Sequence, residues 1–545
     1  MSGGRERRKA EISAQLPDDP SDRAESLPST RWMIGIACAL AALVFAAIRV
    51  LGMRQFGAED GGITSAIAYM VELGYRPYTE LQTTGFPPLF FLLAGGAFKF
   101  LGVQWQSLVV LAGTFAAISL VAQSWLLERA GFGRVTALAV ATLTQCATLL
   151  PLSGWWYNQM TSVVGALFVS AALALVARPR DRGVLTAFAA SAVLLSWSKP
   201  NVAALLLLGV GAALLLNKRT RIAGPLMLLT AAVVSILGLG LVGVNPVLVL
   251  QGYLQAMPRV SSGNFVVFFW INDQREAIRT LLLLAPCALA GLRSAFAWAK
   301  SGSKNIRRTG AIAATGAMAM LMGVVAMGTN NDHNLVEVPL IVIGCIALAK
   351  VSDIGRRPAL KSLVAVALWF SVITLAVVGV GSAYARERIE STGPGLFYED
   401  SPLSPVGGPT FLSDMQTGPA FKNALRDVSV LLDLNPALAG PDAPVYFGPR
   451  LLEMYPEFGI APPKGLPTWW GLYPDGLAST DALLRTFVDR NLQLAVFYQR
   501  DYDTYPGSLR EVLKTQYDVY EWGSLTLHVR LGASVRLPAG ATKAN

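Results

Sequence analysis

An acidic pair, Glu59 and Asp60, follows the first apolar run of membrane length, which covers residues 32–52. The pair opens a polar stretch that continues to Phe86, where the chain becomes apolar again. An ionised carboxylate is costly inside lipid, so one at this boundary is not placed there for burial. Its chemistry suits general-base catalysis or cation binding on a substrate whose tail lies in the bilayer.

Both acids also have simpler interpretations. Residues 63–73 carry a helical apolar pattern, and Asp is a favoured N-cap, so Asp60 could serve only to cap this helix. Glu59 could be a solvated neighbour. The functional interpretation therefore needs support from the surrounding sequence.

A second polar cluster lies in the turn 329–334, between two apolar segments. Asp332, His333 and the neighbouring asparagines offer donors and acceptors where a phosphate or a sugar could lie. Asn and Asp also favour turns, so simple turn chemistry is the alternative. Glu337 falls just inside the next apolar run, where a charge is costly, and it is therefore a functional candidate.

The composition indicates a polytopic α-helical membrane protein. Of 545 residues, 53% are hydrophobic and only 15% are charged, against about a quarter charged in soluble domains. The net charge of +10 comes with Lys and Arg between the apolar runs, where they set topology and do not indicate nucleic-acid binding. The four cysteines lie in or beside apolar segments and show no metal-binding spacing.

Apolar segments recur along the first 382 residues, and the sequence predicts about 11–13 transmembrane or membrane-embedded helices. The segments cover residues 32–52, 86–102, 107–127, 134–150, 160–177, 184–198, 202–216, 222–244, 278–298, 310–328, 335–350 and 361–382.

The loops between these segments differ in charge. One alternating set holds fifteen basic residues and the other holds three. The basic set comprises loops 178–182, 218–221, 293–308 and 350–361; the other comprises 151–159, 196–201, 245–277 and 329–334. The positive-inside rule puts the basic set in the cytoplasm and the residues after 382 outside.

Counting membrane crossings forward from a cytoplasmic N-terminal tail gives a result that differs by one crossing from this assignment. The two agree if segment 86–102, which is short and contains Pro87 and Pro88, does not cross. The alternatives are a loop that violates the charge rule or an additional crossing within an apolar run.

Three domains are expected: a disordered cytoplasmic tail at 1–31, a transmembrane domain at 32–382 with its first external loop at 53–86, and a small extracytoplasmic α/β domain at 383–545. In the last, residues 443–447 and 492–498 read as buried strands, and 525–531 as an edge or half-buried strand. Residues 421–434 and 480–490 read as helices.

The first loop resembles that of GT-C superfamily glycosyltransferases, such as protein mannosyltransferases and lipid A aminoarabinose transferases. An acidic residue after the first span is followed by Gly-Tyr-Arg-Pro-Tyr at 74–78, and then by Pro87, Pro88 and Leu89 before the next apolar helix. The shared order covers about 50 residues, and the layout of many spans followed by an external domain covers the whole chain.

The resemblance implies a membrane glycosyltransferase, in the inner or plasma membrane, that moves a sugar from a polyprenyl-phosphate donor to a lipid, glycan or protein acceptor on the external face. Asp60 aligns with the catalytic carboxylate, and Glu59 would be its partner or a cation ligand. The expected reaction is an inverting single displacement. No cofactor is certain, and a divalent cation is possible.

The chain departs from the family pattern at one place. Members often have a Lys near the Pro-Pro element to hold the phosphate, and Gly85 and Phe86 occupy that place here. The candidate cations to replace it are Arg76, beside Tyr78 in the same element, Lys199 in the turn 196–201, Arg259 and Arg275 in the loop 245–277, and His333 beside Asp332. Each basic residue could instead be a solvated or snorkelling charge.

Two other functions remain open. A transporter or flippase would place ionisable residues near the bilayer midplane and often shows duplicated halves. A non-catalytic scaffold for envelope assembly would keep the layout with a degenerate site. In the last domain, Trp469, Trp470 and Tyr473 could stack on a glycan or form a packed core.

Overall fold

The structure is a computed structural model. It describes residues 28–54, 58–82, 86–149, 155–261, 306–328, 338–351, 404–406, 410–468, 470, 473, 475, 478–499 and 501–544. The described part is helical up to residue 351 and mixed α/β from residue 404.

The helical part contains twelve described helices. They are α1 (Pro28–Gly52), α2 (Ala58–Glu72), α3 (Pro88–Leu101), α4 (Trp105–Arg129), α5 (Arg134–Leu149), α6 (Tyr157–Ala177), α7 (Arg182–Ser196), α8 (Pro200–Leu215), α9 (Ala223–Leu241), α10 (Pro246–Ser261), α11 (Ile306–Gly328) and α12 (Val338–Val351). Ten of them coincide with predicted apolar segments. The segments 278–298 and 361–382 lie outside the described residues.

Four stretches are long and apolar enough to cross a membrane: Ile34–Gly52, Trp105–Arg129, Tyr157–Ala177 and Ala223–Leu241. Of the 18-residue apolar stretch in α6, 94% is buried within the protein, whereas of that in α9 only 22% is buried. Helix α6 is therefore the centre of the bundle, and α9 presents apolar side chains outward, as a helix against lipid does. The predicted fold class, an apolar helical domain followed by a small α/β domain, is confirmed.

The helices have two distinct ends. At the basic end, Arg129 of α4 pairs with Asp181 at 3.0 Å, and Asp181 caps α7 through the backbone N–H groups of Gly183 and Val184. At the opposite end, which we call the domain end, the Trp105 indole N–H donates to the Gly52 carbonyl at 2.8 Å. The C-terminal domain contacts this end, because the Trp105 backbone N–H donates to the Phe411 carbonyl.

Helix α3 begins and ends at the domain end. Its first turn is held by a hydrogen bond from Leu89 N–H to the Trp197 carbonyl, and near its last turn the Phe98 ring packs against the Phe411 ring with centroids 5.9 Å apart. Fourteen residues extend about 21 Å, short of the bilayer core of about 30 Å. Segment 86–102 therefore begins and ends on the same side of the bundle, which is the arrangement expected of a segment that does not cross.

The C-terminal domain is built on a five-stranded sheet in the order β3 (Val445–Phe447), β4 (Leu494–Tyr498), β6 (Leu525–Arg530), β5 (Tyr517–Trp522) and β7 (Thr542–Lys543). Strands β3 and β4 are parallel, with Val445 opposite Leu494, and the other pairs are antiparallel. Two short strands, β1 (Ser404–Pro405) and β2 (Gln416–Thr417), form a separate ladder. The helices are α13 (Pro419–Leu434), α14 (Met454–Phe458), α15 (Ala478–Asp489) and α16 (Gly507–Gln516).

The predicted strands and helices of this domain are present, and one expectation was wrong. Residues 525–531 were expected to form an edge or half-buried strand, but β6 lies between β4 and β5 and is buried at five of its six residues. Its polar members, Thr526 and His528, are buried too. Strand β6 is therefore a central strand of a sheet that is covered on both faces. The alternation of its residues does not mark a solvent-facing edge.

The C-terminal domain seats on the first loop through several backbone contacts. Gln416 N–H donates to the Met53 carbonyl at 2.8 Å, and Gly465 N–H donates to the Glu80 carbonyl at 2.7 Å. The Tyr75 hydroxyl donates to the Pro462 carbonyl at 2.9 Å. Residues far apart in the sequence thus enclose α2 between the bundle and the domain.

Helices α2 and α3 pack closely because Gly95 has no side chain. A Cβ at Gly95 would lie 2.5 Å from Val71 Cβ and would also overlap Val71 Cγ1. The neighbouring Gly96 has open space where its Cβ would be.

We predict that Gly95→Ala destabilises the protein, because overpacking costs about 1–3 kcal/mol and exceeds the gain of about 1 kcal/mol from helix propensity. The measurement is the apparent melting temperature of the full chain in detergent. Gly96→Ala is the matched control and should be neutral or stabilising. Equal effects at the two positions would show that α2 and α3 are not packed as described.

Candidate functional site

Helix α2 carries the acidic pair in its first turn. It begins at Ala58, so Asp60 is its third residue. The interpretation of Asp60 as the N-cap is therefore wrong, because a cap precedes the first helical residue. Acidic residues in a first turn are favoured by the helix dipole. Only the backbone of residues 59 and 60 is described, so the assigned base stays a prediction.

The next two residues, Gly61 and Gly62, bring the C-terminal domain onto this turn. A Cβ at Gly62 would lie 2.6 Å from Glu453 Oε2, 3.3 Å from Leu452 Cβ and 3.6 Å from the Pro449 carbonyl oxygen. Glycine costs roughly 1 kcal/mol relative to Ala inside a helix. Here its lack of a side chain is what admits the segment 449–453.

Glu453, the residue that meets Gly62, is fully buried, with 0% of its surface exposed. Neither carboxyl oxygen has a hydrogen-bond partner. Burial raises the pKa of this carboxyl well above its ordinary value, and the charges of Glu457 and Asp501 raise it further, whereas its own backbone amide lowers it in part. The environment of Glu453 therefore favours the neutral form of its carboxyl.

Tyr78 closes the loop between α2 and α3. Its φ of 65° is left-handed, a strained conformation for a residue other than glycine that concentrates at functional sites. Its hydroxyl donates to the Phe86 carbonyl at 3.0 Å and also hydrogen bonds with Tyr253 of α10. The Tyr253 hydroxyl in turn reaches the Ser198 carbonyl at 3.5 Å.

Lys199 joins α7 and α8 at the domain end. Its ammonium donates to Asn158 Oδ1 at 3.1 Å and lies 5.6 Å from the centroid of the Tyr157 ring. Its backbone N–H donates to Thr161 Oγ1 at 3.1 Å. Three contacts with the first turns of α6 therefore hold a half-buried cation in one place.

The segment 155–158 connects Lys199 to the loop elements. The Tyr157 ring packs against Phe86 with centroids 5.5 Å apart, and the Trp155 indole N–H donates to the Phe90 carbonyl at 2.9 Å. Thr64 of α2, one turn after Asp60, donates to the Trp155 carbonyl at 3.4 Å. The start of α2, the Pro-Pro element and Lys199 thus all contact one short segment.

Among the other predicted site residues that the structure describes, Arg76 is not part of this arrangement. Arg76 is exposed, and its backbone N–H donates to Glu80 Oε2 at 3.0 Å. Asp332, His333 and Glu337 lie outside the described residues, so their roles stay predictions.

The aromatic residues of the C-terminal domain form a core rather than a glycan surface. Trp470 is 1% exposed and Tyr473 3%, and the Trp470 indole N–H donates to the Tyr446 hydroxyl at 3.0 Å. The interpretation of these two residues as glycan-stacking residues is therefore wrong, because their rings are enclosed by other side chains. Trp469 lies outside the described residues.

Sequence reasoning missed Glu453, Tyr157 and Asn158. Tyr157 and Asn158 follow Trp155 and Trp156 in a loop without charge, which gave no chemical signal. Glu453 looks like an ordinary surface acid. The glycine pair in the first turns of α2 was the available signal, since adjacent helical glycines indicate a close approach. Nothing in the sequence indicates which segment makes this close approach.

Two solved structures are similar to the chain over nearly its whole length. One is the crystal structure of ArnT from Cupriavidus metallidurans bound to undecaprenyl phosphate, with 14% identity, 93% of this chain and 99% of that chain covered, and a TM-score of 0.49. The other is the same protein in the apo state, with 14% identity, 94% and 99% covered, and a TM-score of 0.38. No protein-family model and no curated protein matches the chain. ArnT is an aminoarabinose transferase of the GT-C family, the class that the first loop resembles.

We predict that Glu453→Gln flattens the pH dependence of stability. A carboxyl with a raised folded-state pKa contributes its stability fully below the ordinary value of 4.5 and loses it as the pH rises through the folded-state pKa. The apparent melting temperature of the wild type should therefore fall as the pH rises above 4.5, and that of the variant, which carries a neutral amide, should fall less.

The matched control is Glu511→Gln, because Glu511 is an exposed acid of the same domain. This variant should keep the wild-type pH dependence. Parallel curves for the wild type and Glu453→Gln would contradict the burial of a neutral acid at this position.

Proposed function

We propose that the protein is a membrane glycosyltransferase that moves one sugar from a polyprenyl-phosphate donor to an acceptor at the domain end. The observation that supports this most is the position of Lys199. Its ammonium is anchored beside the Tyr157 ring, which packs on Phe86 of the Pro-Pro element. This cation lies near the element at which family members often carry the phosphate-binding lysine that is absent here.

The second support is that the acidic turn and the cation approach the same segment from two sides. Thr64 of α2 contacts the Trp155 carbonyl, while Lys199 contacts Asn158. An anion-binding group and a candidate base near one short segment suit a substrate whose phosphate and acceptor lie a few ångströms apart.

The proposed reaction is a single displacement with inversion. The acceptor hydroxyl oxygen attacks the anomeric carbon, and the Asp60 carboxylate takes the hydroxyl proton. The bond between the anomeric carbon and the phosphate oxygen breaks, and the polyprenyl phosphate leaves with the electron pair. Lys199 stabilises the charge on the leaving phosphate, with Glu59 as the partner of Asp60 or a cation ligand.

The remaining predicted residues keep supporting roles in this proposal. Tyr78 shapes the loop next to the donor, and Asp332, His333 and Glu337 are candidates for donor binding. Among the described residues, no group of three His, Cys, Asp or Glu side chains could hold a metal ion, so a divalent cation would take its ligands from elsewhere, with Glu59 as one candidate. The acceptor would be an envelope lipid, glycan or protein on the external face.

The position of charge disfavours the transporter alternative. In the described helices up to residue 351, every Asp, Glu, Lys and Arg lies in a first or last turn. Transporters place ionisable residues near the middle of the membrane, where the substrate binds. Among the described residues, the acidic turn of α2 and Lys199 both lie near the domain end, which supports an enzyme with an interfacial site.

We predict that Asp60→Asn abolishes sugar transfer while leaving the fold intact, because the amide cannot accept the proton. General-base catalysis contributes about 10²–10⁴-fold, so the rate should fall by at least that range. The measurement is transfer of a labelled sugar from a panel of polyprenyl-phosphate sugars by purified protein. Asp489→Asn, a change at an exposed acid of the C-terminal domain, should retain full activity. Full activity of Asp60→Asn would refute the assigned base.

We predict that Lys199→Met weakens the binding of undecaprenyl phosphate, the lipid in one ArnT structure. A charge-assisted hydrogen bond is worth about 1.5–3 kcal/mol, so the dissociation constant should rise about 10- to 100-fold. Binding to the detergent-solubilised protein is measured by the shift in apparent melting temperature across a lipid titration. Lys218→Met, at an exposed lysine of the basic end, should bind as the wild type does. An unchanged affinity in Lys199→Met would remove Lys199 from the site.

A further inference from the structure

A buried carboxyl of the C-terminal domain faces the helix that carries the proposed base. Both oxygens of Glu453 are without a hydrogen-bond partner, and Glu453 Oε2 is 2.6 Å from where a Cβ of Gly62 would lie. Such groups are rare in folded proteins and call for an explanation, because desolvation of a polar group is costly when no hydrogen bond replaces water. A Leu or Met of similar volume would fill this space without that cost.

The contact with Glu453 and the position of residue 60 lie on different sides of α2. Successive helical residues are about 100° apart, so positions 60 and 62 lie about 200° apart around α2. The face of α2 that meets Glu453 is therefore not the face of position 60. Glu453 can act on the acidic turn only through the backbone of α2.

The contact with the backbone of α2 is made by several residues of the segment 449–453. Pro449, Leu452 and Glu453 all lie within 4 Å of where the Cβ of Gly62 would be. On other sides, α2 is held by Thr64 against Trp155 and by the close approach of Gly95 to Val71. These two contacts fix the rest of α2. The position of the first turn then depends on how closely Glu453 approaches Gly62.

We propose that Glu453 is a positioning residue of the transfer reaction: its carboxyl sets how closely the C-terminal domain seats on Gly62 and so fixes the turn that holds Glu59 and Asp60. This inference rests on the proposed function. It gives the C-terminal domain a role in catalysis, since the site is complete only when the domain is seated.

The charged groups around Glu453 favour its neutral form. Glu457 and Asp501 both disfavour its ionisation. Asp501 is paired with Arg450 at 2.7 Å, and Glu457 accepts from the Leu412 backbone N–H at 3.0 Å. From α2, the contact is made by the uncharged Gly62. The conservative Glu453→Gln keeps the size and neutrality of the acid and should rescue what Glu453→Ala loses.

The test is a double-mutant cycle on the full chain with Gly62→Ala and Glu453→Ala. Each single change should lower kcat for transfer from the polyprenyl-phosphate sugar about tenfold or more, since small misplacement of a catalytic group is costly. Binding of undecaprenyl phosphate should change by less than about threefold in the same variants, because Lys199 is untouched. In the double variant the methyl group introduced by Gly62→Ala occupies the space of the missing carboxyl, so kcat should recover toward the wild type.

Two further measurements separate positioning from a general loss of stability. Hydrogen exchange of residues 58–66 should speed up in Glu453→Ala and stay slow in Glu453→Gln. Glu457→Gln, which changes a partly buried acid of the same domain that contacts Leu412 instead of α2, should leave kcat unchanged.

Additive effects in the cycle, or a lowered melting temperature in Glu453→Ala with kcat intact, would overturn the proposal. If the wild type neither binds undecaprenyl phosphate nor transfers a sugar, the proposed function fails. The exchange of residues 58–66 then decides the coupling between Glu453 and Gly62 by itself.

Discussion

The structure depends on the absence of side chains at two glycines of adjacent helices. Gly62 lets the segment 449–453 reach the first turn of α2, and Gly95 lets α3 approach the far end of the same helix. Helix α2 has fifteen residues and is too short to be stable by itself in water. Its position is therefore set by the surfaces on either side of it, one from the bundle and one from the C-terminal domain.

These contacts explain why the acidic turn of α2, Tyr78 and Lys199 lie near the domain end. Helix α3 stays at the domain end, so Tyr78, Phe86 and the turn with Lys199 come together around the start of α6. The aromatic rings at this place provide apolar area, and their edges and faces hold the cation near a partly buried surface. The arrangement places a charged group beside a largely buried cluster of aromatic rings.

The sequence predicted the larger elements well because long apolar runs and alternating strands are local patterns. The ten described apolar helices and the strands β3, β4 and β6 follow from such patterns. The start of α2 was placed after Asp60 rather than at Ala58, because Asp at a helix start suits a cap as well as a first-turn position. Strand β5 and helix α16 were missed, since the amphipathic period of α16 and the mixed polarity of β5 are weak signals at that length.

The site was predictable only in part, because its geometry comes from contacts between distant segments. Lys199 could be proposed as a cation at a helix turn, but its anchors on Tyr157 and Asn158 follow from the packing of α6 against α7 and α8. Glu453 could not be found at all, since its burial depends on the seating of a domain nearly 400 residues from Gly62 in the sequence.

The hydrogen bond from Tyr75 to Pro462 joins residues separated by 387 positions, and this separation has a consequence for biosynthesis. A ribosome that adds about 5–20 residues per second needs roughly 20–80 s to progress from one to the other. During that interval the glycine face of α2 has no cover from its own chain. The contact between α2 and the segment 449–453 can therefore form only after the C-terminal domain has been translated, and until then α2 packs against the helical part alone.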